Sequence, residues 1–303
     1  MTAKKMLKVL ADGGYPARIV PVSRLEDIKR NVEGLREQGL LDPLLHETYL
    51  KGYSYQPPKE MPDAKYIVIL SVPLPQIEVR FNWKGREIKT IVPPTYANTL
   101  SIIAKAKERL EKSVEHGEGR FVLALFPYKT LAVRTGLASY GRNNISYVGK
   151  QGSFHRLTAF FTDLELDVDD WGERSVLPRC TKCTACLRSC PTKAIDEDRF
   201  LLHAERCLTF LNEFPSDRPF PSSIKPSMHN TIIGCMLCQH VCPYNKEVRD
   251  WTVKGEDFSE EETGYLLKGE FVGDKAKEME AKLGRSGLDL SVFPRNLRAL
   301  LDA

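Results

Sequence analysis

The chain has 303 residues, 42% hydrophobic and 28% charged, with a formal charge of +4. That length holds one large domain or two ordinary ones, and the balance is that of a soluble globular protein rather than a disordered or fibrous one. The mild charge gives no ground for nucleic-acid or membrane binding. No stretch approaches the ~20 apolar residues of a membrane span, and the first residues lack the apolar core of a signal peptide, so a cytoplasmic location is expected.

In chain order, Ser23-Arg-Leu-Glu26 has the form of a capping box. Leu25, Ile28, Val32 and Leu35 follow at helical spacing. Residues 65–72 predict a buried strand stopped by Pro73. A Pro-rich segment, 73–96, with Phe81, Trp83 and Tyr96, reads either as a cover over an active site or as an ordinary hairpin. Residues 97–116 predict a helix with Leu100, Ile103, Leu110 and Val114 on one face. A second buried strand is expected at 120–126. Pro127 suits the first turn of a helix running to about Gly136. Further strands are expected at 144–148 and 157–166. Helices alternating with apolar strands indicate an α/β domain over residues 1–172.

All eight cysteines fall between 180 and 242. A disulfide framework would spread them through a small secreted chain. Instead they stand at ligand spacing. The first group, Cys180-x2-Cys183-x2-Cys186-x3-Cys190-Pro191, is the bacterial ferredoxin run, in which the fourth cysteine serves the other cluster. The second, Cys235-x2-Cys238-x3-Cys242-Pro243, has Ile232 where the first cysteine would stand, and Cys207 is the one cysteine left to replace it. The ligands then divide without remainder. Cys180, Cys183, Cys186 and Cys242 hold one 4Fe-4S cluster, and Cys190, Cys207, Cys235 and Cys238 hold the other. Zinc is the competing reading of paired cysteines, but zinc sites rarely use the run that ends in Cys-Pro. The expected organisation is α+β: an α/β domain at 1–172, a ferredoxin-like double-cluster domain at 173–250, and a short acidic extension at 251–303. That last segment carries 11 acidic and 8 basic residues.

Two clusters carry electrons, and electrons need a destination. A ferredoxin needs only the cysteine module, whereas this chain places about 170 residues before the first ligand. The excess argues for an active site in the α/β part.

The cysteine pattern with its displaced Cys207, together with Leu131–Asn144, Gly152-Ser-Phe154 and Thr162-Asp163, resembles the epoxyqueuosine reductase family, which is related to the reductive dehalogenases. The resemblance covers about 120–250 well and 1–120 loosely. It implies a base-off cobalamin held between the α/β and cluster domains and reduced through the clusters. Gly136, Gly141 and Gly152 would admit the corrin edge. Arg142, Asn143, Asn144, Ser153 and Phe154 complete the expected cofactor contacts. The family carries an aspartate as proton donor, but residues 121–136 contain no Asp or Glu. Tyr140 and Tyr128 are therefore the expected catalytic residues, with Lys129 considered beside them. His155 reads as a surface or substrate contact. His240 reads as a hydrogen-bonding neighbour of the cluster rather than a ligand. Arg134 and Arg142 would meet an anion or cap a solvated helix end.

Three functions follow. The first is a cobalamin-dependent reductase fed by a low-potential donor such as a ferredoxin or flavodoxin, acting on a small-molecule or corrinoid-linked substrate. The second is an electron carrier with no cobalamin of its own. The third is an epoxyqueuosine reductase acting on tRNA. The family's longer members end in basic helical repeats, and the acidic end of this chain sets tRNA aside as a partner.

Overall fold

The computed structural model describes residues 2–97, 99–115, 118–284 and 290–303. Among the described residues the strands are β1 (Ala17–Pro21), β2 (Tyr66–Pro73), β3 (Gln76–Trp83), β4 (Arg86–Val92), β5 (Phe121–Leu123), β6 (Ser139–Tyr140), β7 (Ser146–Tyr147), β8 (His155–Thr162) and β9 (Thr252–Phe258). They fall into two compact units, Met1–Pro73 with Leu100–Cys183, and Leu74–Thr99 with Thr184–Ala303. The class is mixed α+β, as expected, although the units divide differently from the expected domains.

The first unit is built on a four-stranded sheet in the order β1-β2-β8-β5, antiparallel at every pairing. Ile67, Val68, Ile69 and Leu70 of β2 are all fully buried, so both faces of this strand are covered. That is why the strand reads as a continuous apolar run rather than an alternation. The helix Arg24–Glu37 buries Leu25, Ile28 and Val32, the expected face, with Leu35 half-buried. Ser23 does not cap it. Its backbone is already helical, and its side chain makes no cap bond, whereas a cap residue is extended.

The expected helix at 97–116 runs from Thr99 to Lys112 and buries Ile102, Ala106 and Leu110; positions 98 and 116 lie outside the described residues. Leu100, assigned to the buried face, is 83% exposed. The i, i+4, i+8 row through Ile102 includes the small Ala106, which the apolar-spacing argument passed over. β5 and β7 are shorter than expected, and Pro127 is the N-cap of the helix Tyr128–Arg134 rather than its first residue.

The second unit gathers residues that the sequence reading kept apart. β3 and β4 form a hairpin closed by Lys84 and Gly85, both at positive φ, the primed-turn geometry that matches strand twist. β9 adds to β3 in parallel. Phe81 stacks on Phe258 at 4.7 Å and meets Phe293 edge-on at 6.0 Å. The core around them includes Val79, Val92, Ile232, Leu266 and Leu297. Segment 73–96 is thus a hairpin. Phe81 is fully buried in this core, and Trp83 and Tyr96 pack against it. Residues 251–303 supply a strand and core helices instead of a mere extension. The helix Glu260–Lys268 carries a complete capping box, Ser259 with Glu262. Lys282 closes it from a distance, pairing with Glu262 at 2.8 Å.

Candidate functional site

The segment that carries the family resemblance folds as a hairpin in the first unit. β6 pairs with β7, Ser139 opposite Tyr147 and Tyr140 opposite Ser146. In the turn, the Gly141 N–H donates to Ile145 O at 2.8 Å, and the Asn144 N–H donates to Gly141 O at 2.9 Å. Asn144 adopts φ 58°, a left-handed conformation that asparagine tolerates better than most residues. Asn143 is consumed by the hairpin itself: its Nδ2 donates to the Tyr147 hydroxyl at 2.9 Å and its Oδ1 accepts from Ile145 N–H. Gly141 is needed for the same packing. A Cβ there would lie 2.5 Å from Asn143 Oδ1 and 2.6 Å from Tyr147 Cε2.

Asn144 differs from its neighbour. It is 9% exposed, and its Nδ2 is buried without a partner. Its backbone oxygen accepts from Lys129 Nζ at 3.2 Å. A buried amide donor with nothing to donate to costs free energy unless a ligand satisfies it. Of the other expected contacts, Gly136 sits at φ 68° just past the helix Tyr128–Arg134, the usual place for a helix-ending glycine. Gly152 and Ser153 occupy a buried turn, and Phe154 is fully buried in the core.

The outer edge of β6 faces the start of the cysteine run. Tyr140 bridges Val176 in parallel, the Tyr140 N–H donates to Ser175 O, and the Leu177 N–H donates to Tyr140 O at 2.8 Å. One 3-10 turn later, Cys180 is reached. The Arg142 N–H donates to Cys180 Sγ at 3.4 Å, and the Arg142 guanidinium donates to Cys180 O at 2.6 Å. Arg142 thus holds Cys180 through both its backbone and its side chain. Arg134 lies over the Trp171 ring at 4.7 Å and pairs with Glu173 at 3.7 Å.

Tyr140 is buried and Tyr128 half-buried, and desolvation pushes both phenols above their ordinary range. The Tyr140 phenol is hydrogen-bonded by Thr130, whereas the Tyr128 hydroxyl donates to Ala124 O within its own turn. His155 is not a surface residue. It is 3% exposed, and burial pushes its imidazole down to about 4. Its Nδ1 stands 3.1 Å from Gly152 O, which can only accept, so Nδ1 carries the proton and Nε2 accepts from Ser146 Oγ. His240 bonds Gln76 Oε1 at 2.9 Å.

In the second unit, Cys190, Cys207 and Cys235 come together. Burial pushes the Cys207 thiol up to about 11, and nearby Cys235 adds to this; Cys235 is in turn raised by burial and by Cys190. Cys207 is the N-cap of the helix Leu208–Asn212, with no side-chain cap hydrogen bond; the nearby backbone N–H groups of Phe210 and Thr209 work against the effect of burial on its thiol. Asn230 Nδ2 donates to Cys235 Sγ at 3.2 Å, and the Ala194 N–H donates to Cys190 Sγ at 3.3 Å. Donors to sulfur stabilise the more negative, reduced cluster and so raise its potential. The helices Ala185–Ser189 and Leu237–His240, which carry Cys186 and Cys238, pack together. All eight thiols are free of disulfides. Among the described residues, no three Cys, His, Asp or Glu converge tightly enough for a single metal ion. A cubane's thiolates bind different irons and stand farther apart.

Asn230 and the Arg142 clamp were not anticipated. Neither carries a motif signal: one lies five residues before its cysteine, the other 38 residues away in sequence.

Residues 179–245 match the family model described as a 4Fe-4S double cluster binding domain. The eight cysteines and this match support two 4Fe-4S clusters. The chain is 33% identical over 144 residues to an epoxyqueuosine reductase of Leadbetterella byssophila, covering 47% of this chain and 45% of that one. It is 35% identical over 131 residues to the Escherichia coli enzyme, covering 43% and 32%. These alignments span less than half the length of either relative. Among solved structures, the epoxyqueuosine reductase of Streptococcus thermophilus superposes with a TM-score of 0.65 at 20% identity, covering 99% of this chain and 81% of that one. An epoxyqueuosine reductase with a tRNA-Tyr epoxyqueuosine-modified stem loop gives 0.62 at 20%, covering 99% and 80%. At these identities the superpositions establish a shared fold.

Proposed function

We propose that this chain, a member of the epoxyqueuosine reductase family by motif, aligned sequence and fold, is an oxidoreductase that passes electrons through two 4Fe-4S clusters to a cobalamin. The observation that carries this reading is the bonded link between the hairpin and a cluster ligand: Tyr140 laddered to Val176, and Arg142 N–H on Cys180 Sγ. A hairpin fixed to a ligand-bearing turn keeps a bound acceptor close to an electron source.

The cysteine assignment stays as the spacing gives it: Cys180, Cys183, Cys186 and Cys242 for one cluster, and Cys190, Cys207, Cys235 and Cys238 for the other. The hairpin fits the cofactor at one identifiable atom, the unpartnered Asn144 Nδ2, a donor suited to an amide carbonyl on a corrin rim. When bound, cobalamin supplies a low-valent cobalt able to reduce or displace at carbon. The chain's own residues hold and orient. Asn144 offers the amide donor. Lys129 fixes the Asn144 backbone from behind. Tyr140, buried and held by Thr130, keeps its proton until a strong base forms beside it.

The electron source is a low-potential donor protein, in a reducing compartment such as the cytoplasm, where the eight cysteines stay out of disulfides and available as cluster ligands. The substrate is a small molecule or a corrinoid-linked group. Equilibrium dialysis of the cluster-loaded protein against cobalamin tests the reading: micromolar binding supports it. Absence of binding makes the chain an electron carrier for a separate corrinoid protein.

A further inference from the structure

The first unit carries a cavity that neither the cysteines nor the hairpin uses. It holds about 430 Å³, a volume suited to a small organic ligand. Its walls include Tyr49, Tyr53, Gln56, Leu123, Leu125 and Phe161. Two of these come from the sheet: Leu123 ends the edge strand β5 and Phe161 lies in β8 beside it. The opposite wall is the segment after Pro43–Leu45, whose chain winds as a π-helix over His46–Leu50 and places Tyr49. Such widened turns cost regular hydrogen bonding and recur at functional sites.

Three features give the cavity a chemical preference. Among the described residues no Asp, Glu, Lys, Arg or His lines it, so a charged ligand would lose its water with no ion to replace it. Rings and aliphatic side chains dominate the walls, a surface for a flat apolar body. The polar groups present, the tyrosine hydroxyls with Ser54 and Gln56, are neutral hydrogen-bonding partners. Leu125 is 60% exposed and Tyr49 39% exposed. Large apolar side chains left open around a concavity mark binding surface. Beside Tyr53, the Tyr55 hydroxyl is buried with no partner.

We infer that this cavity binds an uncharged, planar aromatic molecule, with the walls stacking on its ring and tyrosine or amide groups meeting a hydroxyl or carbonyl on it. Tyr128 lies behind the same wall, its hydroxyl on Ala124 O between Leu123 and Leu125. The inference stands apart from the cofactor reading, because occupancy is read without cobalamin.

The test is a fluorescence titration of the cluster-loaded protein with 2-naphthol, and separately with the anion 2-naphthoate. Wild type should bind 2-naphthol at least about tenfold more tightly than 2-naphthoate, the discrimination expected of an uncharged lining. Leu125→Arg puts a cation at the exposed rim, and Ser54→Trp fills the space sterically. Each should weaken 2-naphthol about tenfold or more while iron content stays at the wild-type value. Tyr53→Phe should weaken it several-fold. Equal affinity for both probes, unchanged 2-naphthol affinity in both rim variants, or no 2-naphthol binding at about 1 mM would overturn the assignment.

Discussion

The backbone N–H of Arg142 donates to the sulfur of Cys180 at 3.4 Å. Thirty-eight residues of sequence separate the two, yet the bond ties the turn of the family-like hairpin to the first ligand of the cysteine run. Glycine and asparagine in that turn therefore have a double task. They shape the hairpin, and through it they place the N–H that the Cys180 sulfur accepts.

Gly141→Ala should show the first task. The added methyl would fall 2.5 Å from Asn143 Oδ1 and 2.6 Å from Tyr147 Cε2, so the turn must shift. Overpacking of this kind costs about 1–3 kcal/mol. Denaturant unfolding should show a loss in that range. Stability equal to wild type would mean that the Asn143–Tyr147 bond is not a constraint on the turn.

Asn144→Gly tests the proposed cofactor contact. Glycine accepts the left-handed backbone without strain but lacks the Nδ2 donor. Cobalamin affinity should fall about tenfold, the worth of one buried hydrogen bond to a neutral acceptor. Iron content should be unchanged. Undiminished cobalamin binding would remove Asn144 from the cofactor contacts.

Cys207→Ala tests the ligand division. Cys207 stands with Cys190 and Cys235, the set the spacing assigns to one cluster. Anaerobic iron analysis should fall from about eight toward four per chain, on the four-iron stoichiometry of each cubane. Eight irons retained would sink the assignment.

His155 gives a pH signature. Its folded value lies near 4, below its ordinary 6.5, so the unfolded chain binds the extra proton between these limits. The neutral form's contribution is fully present above about pH 6.5 and is lost as pH falls toward 4, on the order of 3 kcal/mol across the window. Unfolding midpoints of wild type and His155→Gln, measured side by side with clusters loaded, should converge as pH falls through that range. Parallel pH curves would show that His155 is not the group responsible.

Much of the first unit and of the cysteine chemistry was legible in the sequence, for a physical reason. β2 is apolar on both faces because both are covered, and thiolate spacing is dictated by the cubane itself. The second unit was not legible. β3 pairs with β9 across more than 170 residues, and no local periodicity announces a parallel partner so distant. The same holds within the site. Asn144 stood out as an amide in a glycine-rich turn, but its difference from Asn143 is set by Tyr147, which consumes one amide and leaves the other. His155, which follows Gly152-Ser-Phe154, reads in sequence as a surface or substrate contact; β8 carries it into the core.

The acidic balance of 251–303, 11 against 8, bears on partners. Binding to phosphate backbones needs clustered cations and weakens steeply with salt. Bulk tRNA should elute from the immobilised protein at physiological salt. Retention there, with a steep loss at higher salt, would bring the tRNA substrate of the relatives to this chain as well.

The most direct measurement follows electrons rather than binding alone. The cluster-loaded protein is reduced anaerobically, freed of excess reductant, and mixed with one equivalent of cobalamin while the visible spectrum is recorded. Cluster absorption should return as cobalamin is reduced, in wild type and more weakly in Asn144→Gly. Reduced clusters that stay reduced beside oxidised cobalamin would contradict the reductase reading and leave the chain a carrier of electrons to another protein.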